Sequence, residues 1–233
     1  MVIPVLYEDN DILIINKQSG LAVQGGEGIL HPLDEVLAEQ IGQKVYLVHR
    51  LDKDTAGILV VAKNPKAAAV YTEIFAGKRA VKEYVSFCAG TLPKKSGTIN
   101  ASVDQKGTEK AALTHYQLEA ESAVTLEDAT VNVCRVRWRI ETGRMHQIRI
   151  HAAKLGVPII ADDKHGNFKL NKALKKACGA KKLMLASVKL TVPLNACAAS
   201  KGQGAVLKTF EIPLPEHMER FAALFADCAS DVD

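Results

Sequence analysis

The sequence lacks the cysteine pattern of a disulfide framework or a zinc ribbon. Its cysteines are odd in number, widely spaced and without a C-x-x-C pair: Cys88, Cys134, Cys178, Cys197 and Cys228. The first residues carry Glu8, Asp9 and Asp11 where a secretory signal would need a basic flank and a longer apolar run. Apolar runs such as 58–62 are far shorter than the roughly 20 residues that cross a bilayer. We therefore expect a cytoplasmic protein with no membrane partner.

Positive charge is concentrated in one segment. The 233 residues include 30 Lys or Arg and 26 Asp or Glu, a net charge of +4. Residues 144–189 contain eleven bases and two acids, a net charge of +9, and the remainder carries −5. Such a concentration is typical of a surface that binds a polyanion, because neutralising phosphates releases counterions. A solvated helix face gives the same pattern, so both interpretations stay open.

Hydrophobic periodicity predicts a mixed α+β fold in one domain over residues 1–233. Two apolar runs within residues 4–17, separated by a polar turn, indicate a hairpin. Residues 90–114 contain Pro and Gly and no long apolar stripe, which predicts a loop-rich excursion. The remaining patterns predict strands at 45–48, 58–61, 81–89 and 131–140, and helices at 33–41, 65–76, 145–155 and 215–228.

The polar segment 49–57 lies between two predicted core strands and carries Asp52. A carboxylate held on a short loop by rigid strands is well placed to act as a nucleophile or base. Alternatively, Asp52 or Asp54 only shapes the turn. A calcium loop is excluded because Ala56 and Lys63 occupy positions that require oxygen ligands.

A second polar cluster occupies residues 142–151. If a helix begins here, its backbone N–H groups and Arg144 would favour a phosphate, and Arg149 could reach a carboxylate. A metal site built from His146 and His151 with Asp162, Asp163 and His165 is poorly supported, because residues five apart on a helix diverge by about 140°.

Together these segments resemble the RluA-type pseudouridine synthases. The resemblance covers roughly residues 4–213 in the family's order. It begins with Leu6, Tyr7, Glu8 and Asp9 and with Asn16, Lys17, Gly20 and Leu21. It continues with His49, Arg50, Leu51, Asp52, Thr55 and Gly57, with Lys82, Glu83 and Tyr84, with residues 142–151 and Asp162, and with Leu183, Met184, Leu185, Ala186 and Ser187.

The resemblance implies a largely antiparallel mixed sheet flanked by helices and loops, and an isomerase that converts uridine in structured RNA to pseudouridine. It implies no cofactor and no metal. Asp52 would be the essential carboxylate, Arg149 would pair with it and keep it ionised, and Tyr84 would flank the uracil and take the C5 proton.

The resemblance also implies contacts with ribosomal or transfer RNA, with no DNA partner and a monomeric enzyme. Arg50 would fill the position vacated by the extruded base. Arg144, His146 and Gln147 would hold the flanking nucleotides. The basic segment would bind phosphates through Lys169, Lys172, Lys175, Lys176, Lys181 and Lys182.

The sequence departs from the family pattern at Ala56, Ala161, His165 and Ala186, where serine, glycine, tyrosine and histidine are usual. These changes leave Asp52 in place and bear on substrate choice. The family pattern begins near residue 4, so we expect no N-terminal S4-like module and an RNA grip made by the catalytic domain. The alternative function is a non-catalytic RNA-binding or ribosome-assembly protein on the same scaffold.

Overall fold

The computed structural model describes residues 1–127, 129–199 and 205–225. Within these residues the chain forms twelve strands: β1 Val5–Glu8, β2 Ile12–Lys17, β3 Tyr46–Leu47, β4 Ala56–Ala62, β5 Val81–Ala89, β6 Ser96–Asn100, β7 Val103–Asp104, β8 Glu109–Lys110, β9 Leu113–Thr125, β10 Thr130–Ile140, β11 Leu185–Leu194 and β12 Val206–Glu211. It also forms six helices: α1 Leu33–Ile41, α2 Pro65–Ala76, α3 Gln147–Lys154, α4 Phe168–Cys178, α5 Ala196–Ala199 and α6 Glu216–Ala222. None of these described helices has the length and apolar character needed to span a membrane.

The described chain packs into two compact units. The first contains Met1–Lys82 and Ser187–Pro213, and the second contains Glu83–Ala186 and residues 214–225. The α+β fold class is confirmed, because each unit combines strands with helices. That residues 1–233 are a single domain stays a prediction.

The first unit is built on the strand order β1–β2–β4–β11. β1 and β2 form the predicted hairpin, β2 and β3 both pair antiparallel with β4, and β12 pairs antiparallel with β11. All seven residues of β4 are buried, and α2 packs Tyr71 and Ile74 into the same core as Ile58 and Val60. The segment that carries Asp52 therefore leads directly into a fully buried strand.

The second unit is built on the strand order β5–β10–β9–β6. β9 and β10 pair antiparallel along most of their length, from Thr125 opposite Thr130 to Thr114 opposite Ile140. The fully buried Trp138 on β10 donates from Nε1 to the Ser86 hydroxyl at 2.8 Å. Thr114 on β9 contacts α3, because its hydroxyl accepts from the Gln147 amide at 2.8 Å and lies 2.8 Å from His151 Nδ1.

Some predicted elements keep their boundaries, and others begin or end at different residues. Helix 65–76 and strand 81–89 are confirmed at both ends. Residues 90–114, predicted to be a loop-rich excursion, also contain the short strands β6, β7 and β8, which form because β6 pairs with β9 and β7 pairs with β8. α3 begins at Gln147 and not at residue 145, since His146 adopts a left-handed φ of 55°. The C-terminal helix begins at Glu216 and passes into a 3-10 turn at Ala223–Phe225, and residues 226–228 of that prediction lie outside the described residues.

Candidate active site

Asp52 lies in the first unit, on the short connection between β3 and β4. The Thr55 N–H donates to the Asp52 carbonyl at 3.2 Å, which closes a tight turn around the carboxylate. The side chain is half-buried, whereas Thr55 and the strand that follows are buried. Because its ends join two paired strands, this turn presents Asp52 at a fixed place on the unit.

The buried Lys17 binds the backbone of this turn. Its ammonium donates to three backbone carbonyls, at 3.1, 2.9 and 2.8 Å, which belong to Gln18, Leu21 and Lys53. The Lys17 side chain is fully buried. Burial lowers the pKa of Lys17 to about 7, against an opposing effect of the Asp54 and Asp52 carboxylates. Three carbonyls match the three N–H donors of an ammonium, so Lys17 ties the Asp52 turn to the end of β2.

His49 fixes the beginning of the same segment. Its Nε2 accepts a hydrogen bond from the Val60 N–H at 2.9 Å, and its ring stacks on Phe75 with centroids 3.9 Å apart. Burial, assisted by the nearby Lys82 charge, lowers the pKa of His49 to about 3. A nitrogen that accepts from a backbone N–H must be unprotonated, so the geometry and the pKa agree on a neutral ring.

The last position of this segment, Gly57, requires a glycine. Its φ is +116°, a region that L residues rarely adopt. A Cβ at this position would lie 2.1 Å from the Ser187 carbonyl oxygen on β11. Only glycine therefore allows β11 to approach the strand that follows Asp52.

Tyr84 lies in the second unit, near the start of β5. Its side chain is buried, as is every residue from there to the end of the strand. The preceding Glu83 forms an ion pair with Arg137 on β10 at 3.3 Å. Tyr84 is thus held on a paired strand, which fixes the position of its backbone.

Arg149 lies on α3 in the second unit and forms a buried ion pair with Asp162. Nε donates to Oδ2 at 2.8 Å and a terminal nitrogen donates to Oδ1 at 2.6 Å, and the same nitrogen contacts Asp163 at 2.9 Å. Arg149 is 3% exposed and the Asp162 side chain is fully buried. Such a two-pronged contact fixes the orientation of the guanidinium plane.

The Asp162 carboxylate also receives the backbone N–H groups of Lys164 and His165, each at 2.9 Å. Burial alone would raise the pKa of Asp162. The Arg149 hydrogen bonds and the two backbone donors more than offset that effect, so the pKa lies below its usual value. Asp162 is therefore ionised at neutral pH and holds Arg149 in place. The pairing of Arg149 with Asp52 stays a prediction.

The predicted RNA contacts in residues 144–147 differ in exposure. Arg144 is exposed, and its Nε donates to the Ala111 carbonyl at 3.2 Å. His146 Nδ1 and His165 Nε2 lie 2.9 Å apart. Gln147 is 3% exposed, donates to Leu113 and Thr114, and accepts from Thr142 and from the Arg144 N–H. An RNA contact by Gln147 would require exchange of these bonds and stays a prediction.

The other predicted RNA contacts lie on exposed surface. Arg50 is exposed in the first unit, beside Asp52 in sequence. In the second unit, the six lysines of the basic segment that are predicted to bind phosphates are all exposed: Lys169, Lys172, Lys175, Lys176, Lys181 and Lys182. Of these six described lysines, Lys176 forms an ion pair, with the exposed Glu127 at 2.5 Å. These lysines are available to a polyanion, and their RNA contacts stay predictions.

The metal interpretation of residues 146–165 finds no support in the geometry. The two ring nitrogens of His151 lie within hydrogen-bond distance of the Thr114 hydroxyl and the Ala101 carbonyl. His146 and His165 contact each other. Within the described part of the chain, no three His, Cys, Asp or Glu side chains converge to hold a metal ion.

Sequence reasoning gave no role to Lys17, His49 or Asp162 beyond their place in the family pattern. A lysine that ends the apolar strand ILIINK is a signal for Lys17, because a buried lysine needs several acceptors. No comparable signal identifies Asp162 as the partner of Arg149, since the contact joins residues on separate elements.

Comparisons with known proteins show the family of this chain. Residues 11–154 match the family model described as RNA pseudouridylate synthase. A protein of Rickettsia felis named ribosomal large subunit pseudouridine synthase C is 36% identical over 170 residues, which cover 70% of this chain and 56% of that protein. The protein of the same name from Salmonella typhi is 33% identical over 225 residues, which cover 93% of this chain and 68% of that protein. The chain thus spans little more than half the length of some curated relatives.

Solved structures share the fold. The human protein titled RNA pseudouridylate synthase domain containing 1 aligns with a TM-score of 0.72 and 22% identity, over 96% of this chain and 88% of that chain. This likeness confirms the predicted pseudouridine-synthase fold. From the family match and the 33% identity over nearly the whole sequence, we conclude that the chain belongs to the RNA pseudouridylate synthase family.

Proposed function

We propose that this protein is an RNA pseudouridine synthase that isomerises uridines in structured RNA. The observation that carries the proposal is the family match over residues 11–154, which includes Asp52, Tyr84 and Arg149. The rigid support of each of these residues is consistent with a catalytic role. Asp52 lies on a turn tied down by Lys17, Tyr84 lies on a paired strand, and Arg149 is clamped by Asp162.

The proposed reaction breaks the bond from N1 of uracil to the ribose and forms a bond from C5 to the same ribose carbon. The C5 proton is lost, and a proton is taken up at N1, so the atoms balance without an oxidant, a reductant or a cofactor. Asp52 supplies the carboxylate that attacks the ribose or the base, or removes a ribose proton. Arg149 keeps that carboxylate ionised, and Tyr84 flanks the uracil and accepts the C5 proton.

Ribosomal RNA is the proposed substrate, with transfer RNA as the alternative. The relatives named above are ribosomal large subunit pseudouridine synthases, which supports the first choice. The exposed lysines of the second unit and the exposed Arg50 and Arg144 supply charge that suits an RNA backbone. We further propose that the enzyme acts in the cytoplasm as a monomer and has no DNA substrate.

The proposal is tested by mapping pseudouridines in total RNA from cells that lack this protein. We expect one or more pseudouridines to disappear from ribosomal RNA, and to return when wild-type protein is supplied. Asp52→Asn protein, matched in expression, should fail to restore them. If every pseudouridine persists in the deleted strain while ribosome assembly is impaired, the non-catalytic assembly function replaces the proposal.

A further inference from the structure

Phe168 is unusual among the aromatic residues of this protein. All twelve Phe, Tyr and Trp side chains lie within the described residues. Eleven of them are buried or half-buried, whereas Phe168 is 82% exposed. A single exposed apolar residue needs no special explanation by itself. The surroundings of Phe168 are what distinguish it.

Phe168 lies on the lysine-bearing face of α4. It is the first residue of the helix, and at 3.6 residues per turn it shares a stripe about 60° wide with Lys172 and Lys175. The helix buries Leu174 on another side and contains no acidic residue. An exposed ring beside exposed ammonium groups is the combination that protein surfaces use to bind unpaired nucleotides, since bases stack on the ring and phosphates pair with the cations.

α4 is firmly attached to the group that holds Arg149. Asn171, one turn after Phe168, accepts the Ala161 N–H at 2.9 Å and donates to the Asp162 carbonyl at 2.8 Å. The Asp162 carboxylate in turn binds the Arg149 guanidinium. Phe168 and Asn171 are about 4.5 Å apart along the helix axis. Phe168 therefore lies on a helix that hydrogen bonds attach to the segment holding the proposed catalytic arginine, within the same unit.

We propose that Phe168 is a base-stacking residue for the RNA strand that flanks the target uridine, with Lys172 and Lys175 binding the adjacent phosphates. The choice of RNA as the ligand rests on the proposed function. Extrusion of a uridine leaves its neighbours partly unstacked, and an exposed ring on the helix attached to the Asp162 segment would restore a stacking partner to one of them. Stacking tolerates any base, so Phe168 contributes affinity more than sequence preference.

The first test measures binding to a transcript of large-subunit ribosomal RNA. Phe168→Ala should weaken binding by about fivefold or more, with KM rising in the same proportion, whereas F168W should bind as the wild type does. The slope of affinity against salt should be unchanged in Phe168→Ala, because no phosphate contact is lost. Lys172→Ala should make that slope shallower by about one. The matched control is Leu30→Ala, which removes an 84% exposed apolar side chain from the first unit.

The second test reads the stacking directly. The single native tryptophan, Trp138, is fully buried, so F168W introduces an exposed fluorophore over a constant background. Saturating RNA should quench the added fluorescence in F168W and leave it unchanged in the control variant L30W. Unaltered fluorescence in F168W with bound RNA, or wild-type affinity in Phe168→Ala, would overturn the proposal.

The two proposals fail in different ways. If wild-type protein binds the transcript but converts no uridine, and RNA quenches the fluorescence of F168W, the enzymatic function is contradicted and the stacking role is supported. Wild-type protein that converts uridine while Phe168→Ala keeps its KM contradicts the stacking role alone. Both proposals are supported if wild-type protein converts uridine, Phe168→Ala raises the KM, and F168W returns the KM to the wild-type value.

Discussion

Replacement of Arg149 by methionine is the sharpest test of how this site is held. The change keeps the aliphatic stem and removes the guanidinium, so Asp162 stays buried with two backbone N–H donors and no counter-charge. Removing one partner of a buried ion pair costs about 3–5 kcal/mol. In a chain of 233 residues, each kcal/mol lowers Tm by about 2–4 °C. We therefore expect Arg149→Met to lower Tm by about 6–20 °C at pH 7.

The effect should depend on pH in a defined direction. The pKa of Asp162 is lower in the folded protein than in the unfolded chain, where a carboxyl titrates near pH 3.9. Its stabilising contribution is therefore present above about pH 4 and is lost as the pH falls through the folded pKa. The difference in Tm between wild type and Arg149→Met should shrink in acid.

The exposed pair of Lys176 and Glu127 is the matched control for this measurement. Both side chains are 72% exposed, and exposed pairs contribute about 1 kcal/mol or less. Lys176→Met should thus leave Tm nearly unchanged, and adding Asp162→Asn to Arg149→Met should lower Tm by less than the sum of the single changes. A loss in Arg149→Met no larger than in the lysine control would refute the argument that this pair anchors the site.

Three further predictions concern the turn and the basic segment. Because Lys17 has a pKa of about 7, wild-type activity should fall as the pH rises through that value, since the ammonium then loses an N–H donor. Lys17→Met should lower kcat, and its activity should not show this fall around pH 7. Gly57→Ala should destabilise the protein by about 2 kcal/mol or more in thermal unfolding, since its Cβ would clash with Ser187, whereas Gly20→Ala meets no atom within 4 Å and should cost less. Neutralising the lysines that are predicted to bind phosphates should make the slope of RNA affinity against salt shallower by about one unit per lysine. These residues are Lys169, Lys172, Lys175, Lys176, Lys181 and Lys182. An unchanged slope would mean that they form only a solvated helix face.

Local patterns in the sequence were sufficient for elements whose signals are local. Helix 65–76 begins with Asn64 and Pro65, and the Asn64 side chain caps the Ala67 N–H at 2.8 Å. Gly42, the glycine directly after the predicted helix 33–41, ends α1 in a left-handed conformation with a φ of 70°. Strand 81–89 is apolar enough to be recognised without knowing its neighbours.

Elements that depend on distant partners were not predicted. β9 is one of the longest described strands, yet most of its second half is polar and at least partly exposed, so its sequence carries little apolar signal. It forms because β10 supplies backbone partners along its length. The same reasoning applies to β6, which pairs with β9 and lies in the stretch predicted to be loop-rich.

The candidate site follows a similar division. The resemblance picked out Asp52, Tyr84 and Arg149, because these residues occur in recognisable motifs. It could not supply the contacts that hold them, since Lys17 reaches Lys53 and Arg149 reaches Asp162 only after folding. A buried charge needs partners that the chain can bring from anywhere, and those partners are read from the structure.

The release of tritium from RNA labelled at C5 of uridine tests the central claim most directly. Conversion to pseudouridine must break the C5 bond to hydrogen, so wild-type protein should release tritium in proportion to the pseudouridine formed. Asp52→Asn keeps the shape of the side chain and removes its charge, and it should bind the same RNA, keep the wild-type Tm and release no tritium. Release by Asp52→Asn within about tenfold of the wild-type rate would contradict the assignment of Asp52 as the essential carboxylate.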